Sequence, residues 1–163
     1  MKPAVLLDTS FLICLFDRQR AAHTVARQYY RQMLEAAIPM YLSAIVADEI
    51  STRQQLTDLP LKNFRPLPFN IPHAILSGRL SQALAAQDGE DEGAPVPVRG
   101  DIKLLAQAEH EGIPLILTED ANTLYHYGER LRLAGQSQVR TVLLSHGYAP
   151  EALRPDGQRS LDF

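Results

Sequence analysis

Ala4-Val5-Leu6-Leu7-Asp8-Thr9-Ser10 is a short apolar run that ends on a carboxylate. Four apolar residues are too few for a helix and suit a buried strand, so Asp8 falls at that strand's carboxyl end. The same unit recurs downstream: Met40-Tyr41-Leu42 closes on Ser43, and Pro114-Leu115-Ile116-Leu117 closes on Thr118-Glu119-Asp120. Helical patterns lie between. From Ala22 to Ala37, Val25, Tyr29 and Met33 recur four apart with Tyr30 and Leu34 beside them, and Pro39 stops the helix. Ser43 suits the N-cap of a helix through Ile45, Val46, Glu49 and Ile50. Phe64 to Phe69 reads as a third strand, which Pro66 and Pro68 restrict to a short or edge position. Beyond Pro72, Ile75, Leu76, Leu80, Ala83 and Leu84 make another apolar stripe. A helix from Asp101 to Glu111 is closed by Gly112, Asp120 caps one through Leu124, Tyr127 and Leu131, and Val139 to Leu144 is the last strand. This alternation predicts an α/β fold, a mostly parallel sheet with helices on its faces.

The chain has 163 residues, 45% hydrophobic and 21% charged, which suits one globular unit with a real core. We expect that unit over 1–148 and a loosely held tail over 149–163. The segment 87–100, rich in acid, Gly and Pro, is expected to be an exposed, mobile loop insert. Cys14 stands alone within Phe11-Leu12-Ile13-Cys14-Leu15-Phe16, so no intrachain disulfide forms and the thiol is expected to be core filler. No secretory pattern opens the chain and no stretch is long enough to span a bilayer, which points to the cytoplasm.

Net charge is -3, which by itself argues against a nucleic-acid partner. The layout is uneven, however: without Asp88, Glu90, Asp91 and Glu92 the remainder carries +1. Thirteen of the sixteen basic residues are arginine, whose fork suits phosphate, and Arg18, Arg20, Arg27 and Arg31 fall close together. A solvated helix face is the plain alternative for those four.

The acids matter by position, because an open parallel sheet places its working site beyond the carboxyl ends of its strands. Asp8 follows the first strand, and Glu119 and Asp120 follow Leu115 to Leu117. Asp101 opens the helix that feeds that strand, and Glu49 lies two turns beyond Ser43. Converging carboxylates repel one another unless a cation neutralises them. An all-oxygen set selects a hard divalent ion, Mg²⁺ or Mn²⁺. A pair of such ions suits phosphodiester hydrolysis, one helping to ionise water and the other taking up charge on the leaving oxygen. Individually, Asp101 and Asp120 could be plain N-caps, and Glu49 an exposed helix acid no different from Asp48.

Four stretches taken together resemble the PIN-domain nucleases, which include the VapC-type toxins of type II toxin-antitoxin pairs. They are Val5-Leu6-Leu7-Asp8-Thr9-Ser10; Ser43 with Glu49-Ile50 six positions on; Asp101-Ile102-Lys103-Leu104-Leu105-Ala106-Gln107-Ala108; and Leu117-Thr118-Glu119-Asp120. The resemblance runs from Val5 to about Leu144. It implies a three-layer α/β/α sandwich and an Mg- or Mn-dependent ribonuclease of the endonuclease type. Asp8, Asp101 and Asp120 would ligate metal, Glu49 would complete the set, and Thr9 and Thr118 would support it through their hydroxyls. Glu119 stays open as a substitute for Asp120. Family likeness further implies an RNA substrate, a homodimer and, for a toxin, a small antitoxin protein. The alternative is a catalytically inactive PIN-fold module for RNA binding or scaffolding.

Two other hydrolytic or signalling readings fit less well. A haloacid-dehalogenase phosphatase needs a second acid two positions after Asp8, where Ser10 stands, and a receiver domain wants a pair of acids at the first strand's end. The five histidines show no metal spacing and are assigned no role. Tyr125 and Tyr127 read as helix packing ahead of base stacking.

Overall fold

The computed structural model describes residues 2–89 and 100–155. Five strands, β1 (Val5–Leu7), β2 (Met40–Ser43), β3 (Phe64–Leu67), β4 (Leu115–Thr118) and β5 (Arg140–Leu143), form one sheet in the order β3-β2-β1-β4-β5. Every neighbouring pair is parallel. Helices α1 (Thr9–Phe16) and α2 (His23–Glu35) connect β1 to β2, and α3 (Ala44–Ser51) leaves β2 toward β3. Next come α4 (Ile71–Gln87) and α5 (Gly100–Glu111), then α6 (Leu124–Leu133) between β4 and β5. The chain steps one way from β1 to β3 and the opposite way from β4 to β5. Right-handed crossovers therefore put α1, α2 and α3 on one face and α4, α5 and α6 on the other, a three-layer α/β/α sandwich.

Burial explains the strand composition. Val5, Leu6, Leu7, Leu115, Ile116 and Leu117 are all fully buried, because β1 and β4 lie at the middle of the sheet and are covered on both faces. Pro66 is tolerated since β3 is an edge. Ser43 caps α3 as expected, its hydroxyl accepting from the Ile45 N–H at 3.1 Å. Gly112, at φ 67°, ends α5 in a backbone conformation that a side chain would strain.

Some expectations need correction. The run Phe11 to Phe16, for which the sequence pattern predicts no element, belongs to a helix, α1. Phe11, Leu12, Leu15 and, as the expected core filler, Cys14 are buried in it, so no polar face marks it in sequence. Leu34 and Ile75 are exposed, so the stripes on α2 and α4 are narrower than the pattern suggests. Asp120 does not cap α6: Thr123 occupies the N-cap position, and Asp120 binds the turn before it. The first part of the tail is held, with Pro150–Leu153 in a 3-10 turn, Leu153 buried, and Arg140 donating to the carbonyls of Ala152 and Arg154. The core of the acidic insert, 90–99, and the end of the tail, 156–163, lie outside the described residues. Among the described residues no helix is long and apolar enough to cross a membrane.

Sheet order also sets where a site can form. β1 is the turning point, with β2 on one side and β4 on the other, so the connections after β1 and β4 leave in opposite directions and open a crevice between them. Asp8 and Thr118 stand side by side at its floor, since Leu7 pairs with Leu117 and the Asp8 N–H donates to the Leu117 carbonyl at 3.2 Å.

Candidate active site

Asp8 is buried, with 6% of its surface exposed, and its carboxylate accepts from donors at the start of α1 and the end of β4. Its Oδ1 accepts from the Thr9 N–H at 2.8 Å. Its Oδ2 accepts from the hydroxyls of Ser10 at 2.7 Å and Thr118 at 2.8 Å. Those hydroxyls in turn accept from the next connection: Glu119 N–H donates to Ser10 Oγ and Asp120 N–H to Thr118 Oγ1, each at 2.9 Å. The end of β1 and the turn after β4 are thus tied through two hydroxyls to a single carboxylate oxygen.

Burial raises the pKa of Asp8 above the usual carboxylate value. The hydrogen bonds from Ser10, Thr118 and Thr9 oppose that shift, and the negative charge of Asp101 adds to it. Asp101 lies in the first turn of α5, and the start of that helix reaches Glu49: a Cβ placed on Gly100 would stand 3.0 Å from Glu49 Oε1. Glu49 itself, although exposed, accepts from the Thr9 hydroxyl at 2.6 Å. Asp48 carries no such contact, so the two neighbouring acids are not equivalent. Thr9 therefore joins Asp8 to Glu49, with its N–H on one carboxylate and its hydroxyl on the other.

Asp120 sits on the same floor but faces another way. Its carboxylate accepts from the N–H groups of Asn122 and Thr123, at 3.1 and 3.0 Å, and from the Thr123 hydroxyl. Burial opposes its ionisation, yet those hydrogen bonds outweigh burial and hold its pKa below the usual value. Glu119 turns toward α1, where its Oε2 accepts from the Cys14 thiol at 3.0 Å. Burial and this carboxylate push the thiol up to about 12. The fold thus joins Asp8 to Glu49 through Thr9, brings the charge of Asp101 to bear on Asp8, and links Asp120 to Asp8 through Thr118. The four carboxylates do not close tightly: no three of them have ligand atoms all within 4.8 Å of one another.

Among the described residues, the one group of His, Cys, Asp or Glu side chains that does close to 4.8 Å is His73, His110 and Glu111. His73 is buried in the first turn of α4, and its Nδ1 accepts from the Asn70 N–H at 2.9 Å. The ring proton therefore sits on Nε2, 2.7 Å from Glu111 Oε1. An imidazole that ligates metal normally donates through its other nitrogen, and here that nitrogen accepts. The trio reads as a hydrogen-bonded cap joining α4 to the far end of α5. Spacing along the sequence gives no sign of it, because His73 and Glu111 are 38 residues apart.

The PIN-domain family model matches residues 5–129 of the chain. This chain belongs to the PIN-domain family. The family is one of nucleases, and the match takes in Asp8, Glu49, Asp101 and Asp120. A search of curated proteins gives no match. Among solved structures, this PIN domain is similar to VapBC-1 from nontypeable Haemophilus influenzae (TM-score 0.55, 14% identity, covering 87% of this chain and 98% of that one). It is similar as well to VapBC2 from Rickettsia felis bound to a DNA fragment from its promoter (0.54, 13%, 86% and 98%). A third is DNA-bound VapBC from Salmonella typhimurium (0.53, 17%, 88% and 99%). At these identities the likeness is one of fold, and it agrees with the three-layer sandwich.

Sequence reasoning did not assign roles to Ser10 and Gln107. Ser10 had a signal, since it is a hydroxyl directly behind a strand-end aspartate. Gln107 had none: it is a polar residue inside an apolar helix face whose partners lie about forty and sixty-four residues away.

Proposed function

We propose that this PIN domain is a ribonuclease that hydrolyses RNA phosphodiester bonds in the crevice between β1 and β4. Asp8, Glu49, Asp101 and Asp120 would hold Mg²⁺ or Mn²⁺. One observation carries the reading: a buried carboxylate, Asp8, lies at the topological switch point with the charge of Asp101 acting on it, an arrangement that a cation relieves. The donor set fits a hard ion, since it consists entirely of carboxylate and hydroxyl oxygens with no thiol or imidazole. When bound, such an ion supplies charge neutralisation for the phosphate and a lower cost of ionising water.

The chain's own groups have separable tasks in that reading. Ser10 and Thr118 fix the rotamer of Asp8 by donating to Oδ2, and with the Thr9 N–H on Oδ1 one acceptor site, on Oδ1, is left for a cation. Thr9 holds Glu49 at the crevice mouth, where an exposed carboxylate can accept a proton from water. Asp120, whose pKa is held low, stays ionised across the physiological range.

Likeness to VapBC assemblies supports a toxin role with a small antitoxin protein, and family likeness supports a homodimer. A groove of about 520 Å³ between α1 and α2 suits an acidic amphipathic peptide. Leu15 and Phe16 line it, and it is rimmed by Arg18, Arg27 and Arg31, which make no ion pair with any described residue. Co-purification of a partner encoded beside the gene checks the toxin role, and light scattering checks the dimer.

The direct test is cleavage of RNA by the purified protein with Mg²⁺ or Mn²⁺. EDTA should abolish it, and Asp8→Asn should lower it by about 10²–10³-fold, while circular dichroism stays unchanged. Undiminished cleavage by the folded Asp8→Asn protein would reject the site.

A further inference from the structure

Gln107 is fully buried in α5 and bonds to the ends of two strands, β2 and β3, and to the residue after β3. Its Oε1 accepts from the Ser43 hydroxyl at 2.5 Å, and its Nε2 donates to the carbonyls of Pro68 at 3.0 Å and, more weakly, Leu67 at 3.5 Å. Ser43 Oγ also accepts from the Ile45 N–H, so its own proton must go to Gln107. The partners thus fix the direction of the amide: its oxygen faces a donor, and its nitrogen faces two acceptors.

The position of this contact gives it a consequence. α3 and α5 belong to opposite layers and meet only beyond the strand ends, where no ladder of backbone bonds sets their spacing. Ser43, the N-cap of α3, bonds to Gln107, and further along, both Ile45 and Glu49 face the first turn of α5 at Gly100. Glu49 lies six residues past Ser43 and Asp101 six residues before Gln107, roughly 9 Å along each helix at 1.5 Å per residue. A shift at the amide is therefore carried along both helices to the pair of acids.

We infer that Gln107 is a positioning residue of the acidic site, a buried strut that sets the separation of Glu49 and Asp101 by locking α5 to the N-cap of α3 and the end of β3. This rests on the metal-dependent reading of those acids. Removing a hydrogen bond made directly to a metal ligand weakens metal binding by about 10–100-fold, and a strut that positions two ligands from further out is expected to act at the lower end of that range. Gln107→Met keeps the volume and loses the amide. Gln107→Glu keeps the acceptor for Ser43 but turns an oxygen toward the Pro68 carbonyl.

The test measures Mn²⁺ affinity by electron paramagnetic resonance, well below the melting temperature, for wild type, Gln107→Met, Gln107→Glu and Ser43→Ala/Gln107→Met. Leu153→Ala serves as a control whose loss of stability comes from a contact away from α3 and α5. Both Gln107 variants are expected to bind Mn²⁺ at least tenfold more weakly. The double variant should be little worse than Gln107→Met alone, and Leu153→Ala should keep wild-type affinity. Wild-type affinity in folded Gln107→Met overturns the inference, as does an equal loss of affinity in Leu153→Ala.

A second measurement is independent of metal. Spin labels on the exposed positions Ser51→Cys and His110→Cys, in a Cys14→Ser background, report the distance between α3 and α5. The distribution should be narrow in wild type and broadened in Gln107→Met; identical distributions would sink the strut. If the wild-type chain takes up no Mn²⁺ yet the distribution broadens, the strut stands and the metal reading fails.

Discussion

At its first turn α5 brings the charge of Asp101 to Asp8 and sets Gly100 beside Glu49, and at its last turn it presents His110 and Glu111 to His73. Both ends collect titratable groups from separate elements. They differ in balance. At the far end each group answers another, with an N–H on His73 Nδ1 and the Nε2 proton on Glu111, so nothing further is required. At the near end three hydrogen bonds to Asp8 fail to offset burial and a neighbouring negative charge, and its pKa stays raised. A titratable cluster that closes tightly on itself is therefore the weaker functional candidate here, and the looser cluster with surplus charge is the stronger one.

The largest effect should come from removing the surplus. Asp8→Asn is expected to lower RNA cleavage by about 10²–10³-fold, the scale seen when one preorganised electrostatic group is lost. Stability supplies a second readout. The native pKa of Asp8 is raised, so its contribution to stability is fully present below 3.8 and is lost as pH rises through the native value. The melting temperature of Asp8→Asn minus that of wild type should therefore grow between pH 4 and pH 7. A constant difference would mean that Asp8 titrates normally.

Metal should sharpen the contrast. At a concentration a hundredfold above its dissociation constant, Mn²⁺ is expected to stabilise the native state by about 2.7 kcal/mol. The shift should shrink as pH falls through the raised native value of Asp8, where protons compete with the ion, and should vanish in Asp8→Asn. At the other end, His73→Phe leaves the Asn70 N–H and the Glu111 carboxylate without their partner and should cost about 1–3 kcal/mol in denaturant melts. It should leave Mn²⁺ affinity within about twofold, because the trio is a cap. A zinc-induced rise in melting temperature that disappears in His73→Phe would make the trio a metal centre and undo the comparison.

How much of this was legible in the sequence follows from the range of each interaction. Strand ends and helix stops are local, so Ser43, Gly112 and the acid behind each inner strand could be read from their neighbours. α1 could not, since a helix buried nearly all round shows no 3.6-residue alternation. The acids could be gathered by strand-end logic, but their orientations could not. Asp120 turns into its own loop and Glu119 toward Cys14, choices made by Thr123 and by a thiol 105 residues away. Gln107 and His73 were silent for the same reason, each being polar only with respect to partners brought by the fold.

Cys14 offers the smallest of these effects and the cleanest sign. It is buried against Glu119, and its pKa stands at about 12 against an ordinary 9.0. The native state thus keeps a proton that the unfolded chain gives up. Its contribution to stability is fully present below pH 9.0 and is lost as pH rises through 12, by up to about 1.4 kcal/mol per pH unit. Cys14→Ser retains a donor for Glu119 without this titration, because a serine hydroxyl does not ionise in that range. The melting temperature of wild type relative to Cys14→Ser should therefore fall between pH 8 and pH 10.5, while iodoacetamide at pH 8 leaves the native thiol unmodified. Rapid alkylation of folded protein would show that α1 opens at the point where it meets Glu119. The turn after β4, which carries Asp120, would then be less firmly seated than the hydroxyl network implies.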